Sequence, residues 1–138
     1  MKGTFLDTSG LIALINTSDQ WHAATEAAWD RLIAGAEPLT TTSLVLAELG
    51  DGLSRIGFRQ LVVQLTDRLH TAEQVTVVPY DDELEVAARE LSRSRVDKEW
   101  GVTDCASFAA MRRQGIDDAI ATDHHFEQAG LRRLIATT

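Results

Sequence analysis

The strongest constraint on this chain is an alternation: short β-type runs recur between stretches of helical spacing across all 138 residues. The strand-like runs are Gly3–Asp7, Leu39–Thr41, Val75–Val78, Ala119–Thr122 and Arg133–Ile135. Between them, Trp21, Ala24, Ala28 and Leu32 predict one helical face. Leu44, Ala47, Leu53 and Ile56 predict a second, weakened by Gly50 and Gly52. Leu61, Leu65 and Leu69 mark a third face, and Leu84, Ala87, Ala88 and Leu91 a fourth. Asp81 is suited to cap that fourth helix, with Asp82 and Glu83 favourable to its dipole. Thr103 is the expected N-cap of a last helix through Gln114, which Gly115 would end. Strands alternating with helices predict an α/β fold: a short-stranded, mostly parallel sheet flanked by helices on both faces. The length suits one domain, residues 1–138.

Acidic residues recur where such a fold places its ligands. Asp7 closes the first strand-like run and Asp123 follows the fourth, at the carboxyl ends where open α/β sheets bind ligands. Glu48 comes soon after the second run, and Asp104 opens the expected last helix. Each acid alone has a local explanation. Asp7 suits a turn, with Thr8 or Ser9 capping the next helix. Glu48 resembles any solvated helix carboxylate, and Asp51 on the same face is its rival. An acid in a first helical turn, like Asp104, gains about 0.3–1 kcal/mol from the dipole. Asp123 would cap a short helix through Ala129. What these explanations leave over is four carboxylates converging without matching cations, which calls for a bound metal ion. Oxygen ligands select Mg²⁺, with Mn²⁺ as a substitute, over metals that prefer softer ligands. Thr8 and Thr103 stand beside acids and can hydrogen-bond a ligand carboxylate. Adjacent His124 and His125, read as helical neighbours, would not face one ion, which argues against zinc.

In order, Phe5-Leu6-Asp7-Thr8-Ser9, Leu46-Ala47-Glu48-Leu49, Trp100-Gly101-Val102-Thr103-Asp104-Cys105-Ala106-Ser107-Phe108 and Ala121-Thr122-Asp123-His124-His125-Phe126-Glu127-Gln128-Ala129-Gly130 resemble the four signatures of the PIN-domain ribonucleases. Within that superfamily they are most similar to the VapC-type toxins of bacterial toxin–antitoxin pairs. The resemblance spans essentially the whole chain, and its last two stretches are the most specific. It implies a PIN-like fold and a Mg²⁺-dependent endoribonuclease in which Asp7, Glu48, Asp104 and Asp123 are the catalytic metal ligands. Pattern alone leaves Glu48 and Asp51 level; the family motif points to Glu48. The substrate it implies is single-stranded or loop RNA, cut to leave a 5′-phosphate and a 3′-hydroxyl. It also implies a cognate antitoxin protein and a homodimer, to which Phe58, Leu61, Val62 and Leu65 would contribute.

Two other readings compete. A phosphoryl-accepting receiver-like switch would need paired acids near the first strand and a lysine after the last. Here Thr8-Ser9 follow Asp7, and the only lysines are Lys2 and Lys98. The other is a catalytically inactive PIN domain acting as a binding module, against which the presence of all four acids argues.

Apolar residues at 44% and charged residues at 25% exclude a disordered chain. No apolar run approaches the ~20 residues of a membrane span, and signal-peptide regions are not evident. The single cysteine, Cys105, excludes an internal disulfide, suits a reducing cytoplasm and reads as a buried helix residue. A net charge of −8 is awkward for an enzyme of nucleic acids, since phosphate contacts supply most of the affinity. Part of it belongs to the expected metal site. Arg89, Arg93, Arg95 and Lys98, then Arg112-Arg113 and Arg132-Arg133, are the groups able to touch an RNA backbone. The overall field favours a basic protein partner whose arginine or lysine would enter the acidic crevice.

Overall fold

The computed structural model describes residues 2–135. Five strands form one sheet: β1 Thr4–Leu6, β2 Leu39–Thr42, β3 Val75–Val78, β4 Asp118–Ile120 and β5 Arg132–Arg133. Every adjacent pair is parallel, and the order is β3-β2-β1-β4-β5. Phe5 pairs with Thr40 on one side and Ala119 on the other, so β1 is the central strand. The chain moves outward from β1 to β3, then returns to lay β4 against the other side of β1. Strand order therefore reverses between β1 and β4, and that switch point is where ligands gather in such sheets.

The helices are α1 Thr8–Ile15, α2 His22–Ala34, α3 Ser43–Gly52, α4 Ile56–Thr71, α5 Asp82–Ser94, α6 Val102–Gln114 and α7 His125–Gln128. The core is Phe5, Leu6, Leu11, Leu39, Leu49, Met111, Ile120 and Phe126 with their neighbours. A line of aromatic contacts ties the β1 end of the core to the loop before α6: Phe5 to Phe126, Phe126 to Phe108, Phe108 to Trp100. Each fully buried large side chain contributes roughly 1.5–3 kcal/mol. Gly10 lets α1 lie directly on β4, because a Cβ there would stand 2.3 Å from the Ile120 carbonyl oxygen.

Asp81 caps α5 as expected, accepting from the Leu84 N–H at 2.9 Å, and Gly115 ends α6 at φ 69°. Other expectations are corrected. The cap of α6 is Gly101, and Thr103 lies buried inside the helix. The Asp104 carboxylate folds back to accept from the Gly101 N–H at 3.1 Å, while Gly101, without a side chain, caps no N–H of the first turn. On α2 the buried positions are Thr25 and Ala28, whereas Ala24 is exposed. The face read through Leu44, Ala47, Leu53 and Ile56 is divided between two helices. Extended backbone at Arg55 breaks the helical phase, so α3 buries Val45, Leu46 and Leu49 while Ile56 is 91% exposed. Val62 faces the protein's own core, which removes it from any intersubunit contact.

Candidate metal centre

The site is built at the switch point. Asp7 leaves β1 as the N-cap of α1, and its Oδ2 accepts from the Ser9 N–H at 3.0 Å and the Ser9 hydroxyl at 2.6 Å. Its own N–H donates to Ile120 O on β4 at 3.1 Å, so the residue is 4% exposed. The Ser9 hydroxyl in turn accepts from the Thr122 N–H at 3.0 Å, which joins the end of β1 to the loop after β4. That loop carries Asp123, whose Oδ1 accepts from the His125 N–H at 2.9 Å. Asp104 arrives from the first turn of α6. The His125 ring stands between the two: Nδ1 is 3.0 Å from Asp104 Oδ2 and 3.2 Å from Asp123 Oδ2. In the tautomer that carries its proton, Nδ1 donates toward these carboxylate oxygens.

The electrostatics show a surplus of negative charge. Burial pushes the Asp7 carboxyl up to about 6; the Ser9 hydrogen bonds pull against this, while Asp104 and Asp123 push with it. Burial also raises Asp104, aided by repulsion from Asp123 and opposed by the Gly101 N–H and by His125. Beside Asp7, the buried Thr8 hydroxyl has no hydrogen-bond partner among the described residues. Carboxylates that resist ionisation, an unpartnered hydroxyl and an oxygen-rich donor set together fit a hard divalent cation.

Asp7, Asp104 and Asp123 are thus brought together. Glu48 is exposed on α3, a helix packed against both α1 and α6, and it joins no ion pair among the described residues; the rival Asp51 is exposed as well. The divergence expected of His124 and His125 is corrected. His124 precedes α7 instead of lying within it, and ligand atoms of Asp123, His124 and His125 lie within 4.8 Å of one another. The bracing role of Ser9 was hidden by its reading as a simple cap, and His125 by its reading as a helix neighbour. Both stand inside the quoted signatures. Cys105 is buried, and burial raises its thiol. Trp100 packs edge-on against Phe108 and donates to Gln128 at 3.1 Å. Most cations expected to meet RNA are engaged in ion pairs: Arg89 with Glu85, Arg95 and Lys98 with Asp97, Arg113 with Glu83, Arg132 with Asp118 and Arg133 with Glu127.

The PIN domain profile matches residues 4–131. The chain belongs to the PIN-domain family. This PIN domain is 37% identical over 128 residues to the 23S rRNA-specific endonuclease VapC20 of Mycobacterium tuberculosis (strain H37Rv), covering 91% of this chain and 93% of the relative. The crystal structure of M. tuberculosis VapC20, described as a sarcin–ricin loop cleaving toxin, superposes with a TM-score of 0.80 at 31% identity, covering 93% and 95% of the two chains. These likenesses, each over more than nine-tenths of both chains, place the chain among the VapC-type PIN domains and set aside the receiver-like alternative. FitAcB from Neisseria gonorrhoeae shares the fold, with a TM-score of 0.64 at 17% identity over 94% and 95% of the chains.

Proposed function

We propose that this PIN domain is a divalent-metal-dependent endoribonuclease, the toxin of a toxin–antitoxin pair, acting in the cytoplasm on a ribosomal RNA loop. The observation that carries the reading is the convergence of Asp7, Asp104 and Asp123 at the β1/β4 switch point without a cation to match them. Likeness to VapC20 over more than nine-tenths of both chains supports the RNA class. Asp7, Asp104 and Asp123, joined by Glu48 from the rim of α3, would hold Mg²⁺ or Mn²⁺. When bound, such a cation lowers the pKa of water and offsets charge on a scissile phosphate. The chain's own residues orient the donors: Ser9 aims Asp7, the Gly101 N–H fixes Asp104, and the His125 ring spaces Asp104 from Asp123. Cleavage would break the P–O3′ bond and leave a 5′-phosphate and a 3′-hydroxyl. Loop RNA suits such a site because its bases are already unstacked. The protein works as a homodimer, for which exposed Leu61 and Val63 on α4 remain available.

The test is cleavage of a synthetic stem-loop carrying the sarcin–ricin sequence, beside a loop-scrambled control. The expected result is a dominant cut in the loop with Mg²⁺ or Mn²⁺, abolished by chelator and restored by either ion. Cleavage of both RNAs alike would refute the loop target. Absence of metal-dependent cleavage on any RNA would refute the nuclease reading.

A further inference from the structure

β5 is only Arg132–Arg133, yet its second residue reaches from the sheet edge into the loop that carries Asp123. Arg132 points outward and forks onto Asp118 with two contacts of 2.8 Å. Arg133 behaves differently: its side chain is 13% exposed. One nitrogen, Nη1, donates to the Thr122 carbonyl oxygen at 2.7 Å, and Nη2 lies 3.0 Å from Glu127 Oε1. Its Nε is buried with no partner among the described residues. Ordering and desolvating such a side chain is costly, since arginine carries about 2 kcal/mol of rotamer entropy alone. A return on that cost is visible at Thr122. The Thr122 N–H donates to the Ser9 hydroxyl, which donates to Asp7, while the Thr122 carbonyl accepts from Arg133. The backbone leading into Asp123 is held at two successive peptides: Ser9 accepts from the N–H of the Ala121–Thr122 unit, and Arg133 donates to the carbonyl of the Thr122–Asp123 unit.

We infer that Arg133 is a positioning residue for the metal centre: it fixes the Thr122–Asp123 peptide, while Ser9 fixes the peptide before it, so that Asp123 and Asp7 present their oxygens to the same cation. It acts through the backbone and Ser9 and touches neither RNA nor metal. The inference rests on the metal-nuclease reading above. The fork matters, because the carbonyl and Glu127 need separate nitrogens with fixed divergence, and a lysine offers one compact charge. Groups that orient metal ligands in this way typically contribute about 10–100-fold to metal affinity or activity.

The experiment compares wild type with Arg133→Ala, Arg133→Lys and Glu127→Ala. Mn²⁺ affinity is measured by titration calorimetry, with kcat and KM for RNA and the melting temperature alongside, all below each variant's transition. Arg133→Ala should weaken Mn²⁺ binding and lower kcat by about 10–100-fold, with KM for RNA little changed. Arg133→Lys should recover part of both, and Glu127→Ala should lose less than Arg133→Ala. A fall in melting temperature with Mn²⁺ affinity and kcat intact overturns the inference, since it shows a purely structural pair. Should Arg133→Ala fail to fold, Arg133→Lys decides: reduced affinity and kcat support the inference, and wild-type values overturn it. A wild type that binds no divalent cation overturns the metal reading itself, which is distinct from wild-type binding with unperturbed variants.

Discussion

A carboxylate buried at the end of β1, with Asp104 and Asp123 close enough to repel it, holds its proton to a pH of about 6 instead of 3.8. Between those values the folded state keeps a proton that the unfolded state has lost, so stability falls as pH rises through the window. By neutral pH the metal-free fold has lost about 1–3 kcal/mol to this one group. Asp7→Asn removes the penalty and keeps the shape. Metal-free Asp7→Asn should therefore melt several degrees above wild type at pH 7.5, while losing cleavage. Adding Mg²⁺ should raise the melting temperature of wild type and leave the variant nearly unmoved. A variant that melts below wild type without metal, or that responds equally to Mg²⁺, would contradict the assignment. The same proton governs binding: below a pH of about 6 the cation must displace it, so apparent affinity should fall by about tenfold per pH unit there. Calorimetry across pH 5–8 checks this in Asp7 against the loss expected from exposed carboxylates, which titrate at about 4.

At the scale of elements, the first four runs of the sheet were legible because each is short, rich in apolar or β-branched residues and flanked by a helical period, and Val75–Val78 matches its predicted bounds; the fifth strand is Arg132–Arg133 instead of Arg133–Ile135, because two arginines carry no strand signature. Asp81 and Gly115 were legible because side-chain capping and the left-handed cap each leave a residue-type signature. The cap of α6 was not, because a glycine cap is completed by the carboxylate three residues later and Thr103 is the better isolated candidate. Ile56 was misplaced because spacing survives a helix break that only backbone geometry reveals at Arg55. In the site, the acids that end or follow strands were readable from topology. The role of Arg133 was not, since a contact between β5 and the Thr122 carbonyl leaves no periodic trace. Gly10 shows how tightly the elements hold the site. An added Cβ would meet the Ile120 backbone at 2.3 and 2.8 Å, contacts that a rotamer change cannot relieve. Gly10→Ala should push α1 off β4, destabilise by roughly 1–3 kcal/mol and displace Asp7 from its hydrogen bond to Ile120. Denaturant melts and Mn²⁺ titration read the two effects separately. Wild-type stability in this variant would mean that the α1–β4 approach is looser than described.

For the whole molecule, a charge of −8 has consequences beyond the crevice. Internal ion pairs occupy most of the cations on α5, α6 and β5, so the surface has little to offer a polyanion at long range. Rapid association with a basic protein is the complementary expectation. We expect that partner to be a cognate antitoxin, whose arginine or lysine enters between Asp7, Asp104 and Asp123 while its apolar residues cover part of the helical surface. Between α1, α2 and α4 lies a cavity of about 490 Å³, where Leu14, Ile15, Trp29 and Leu65 stand beside Glu26, Asp30 and Arg68; its apolar share suits such a segment. Expression of the wild type alone should arrest growth, and co-expression of the small protein encoded beside it should restore growth. Asp7→Asn separates toxicity from mere overproduction, because it should not arrest growth yet should still fold. Association of the two purified proteins should slow as salt rises, since screening over about 10 Å at 0.1 M removes the steering field. Arrest by Asp7→Asn, or absence of rescue by any neighbouring gene product, would remove the toxin–antitoxin role and leave the nuclease chemistry to stand on the cleavage assay alone.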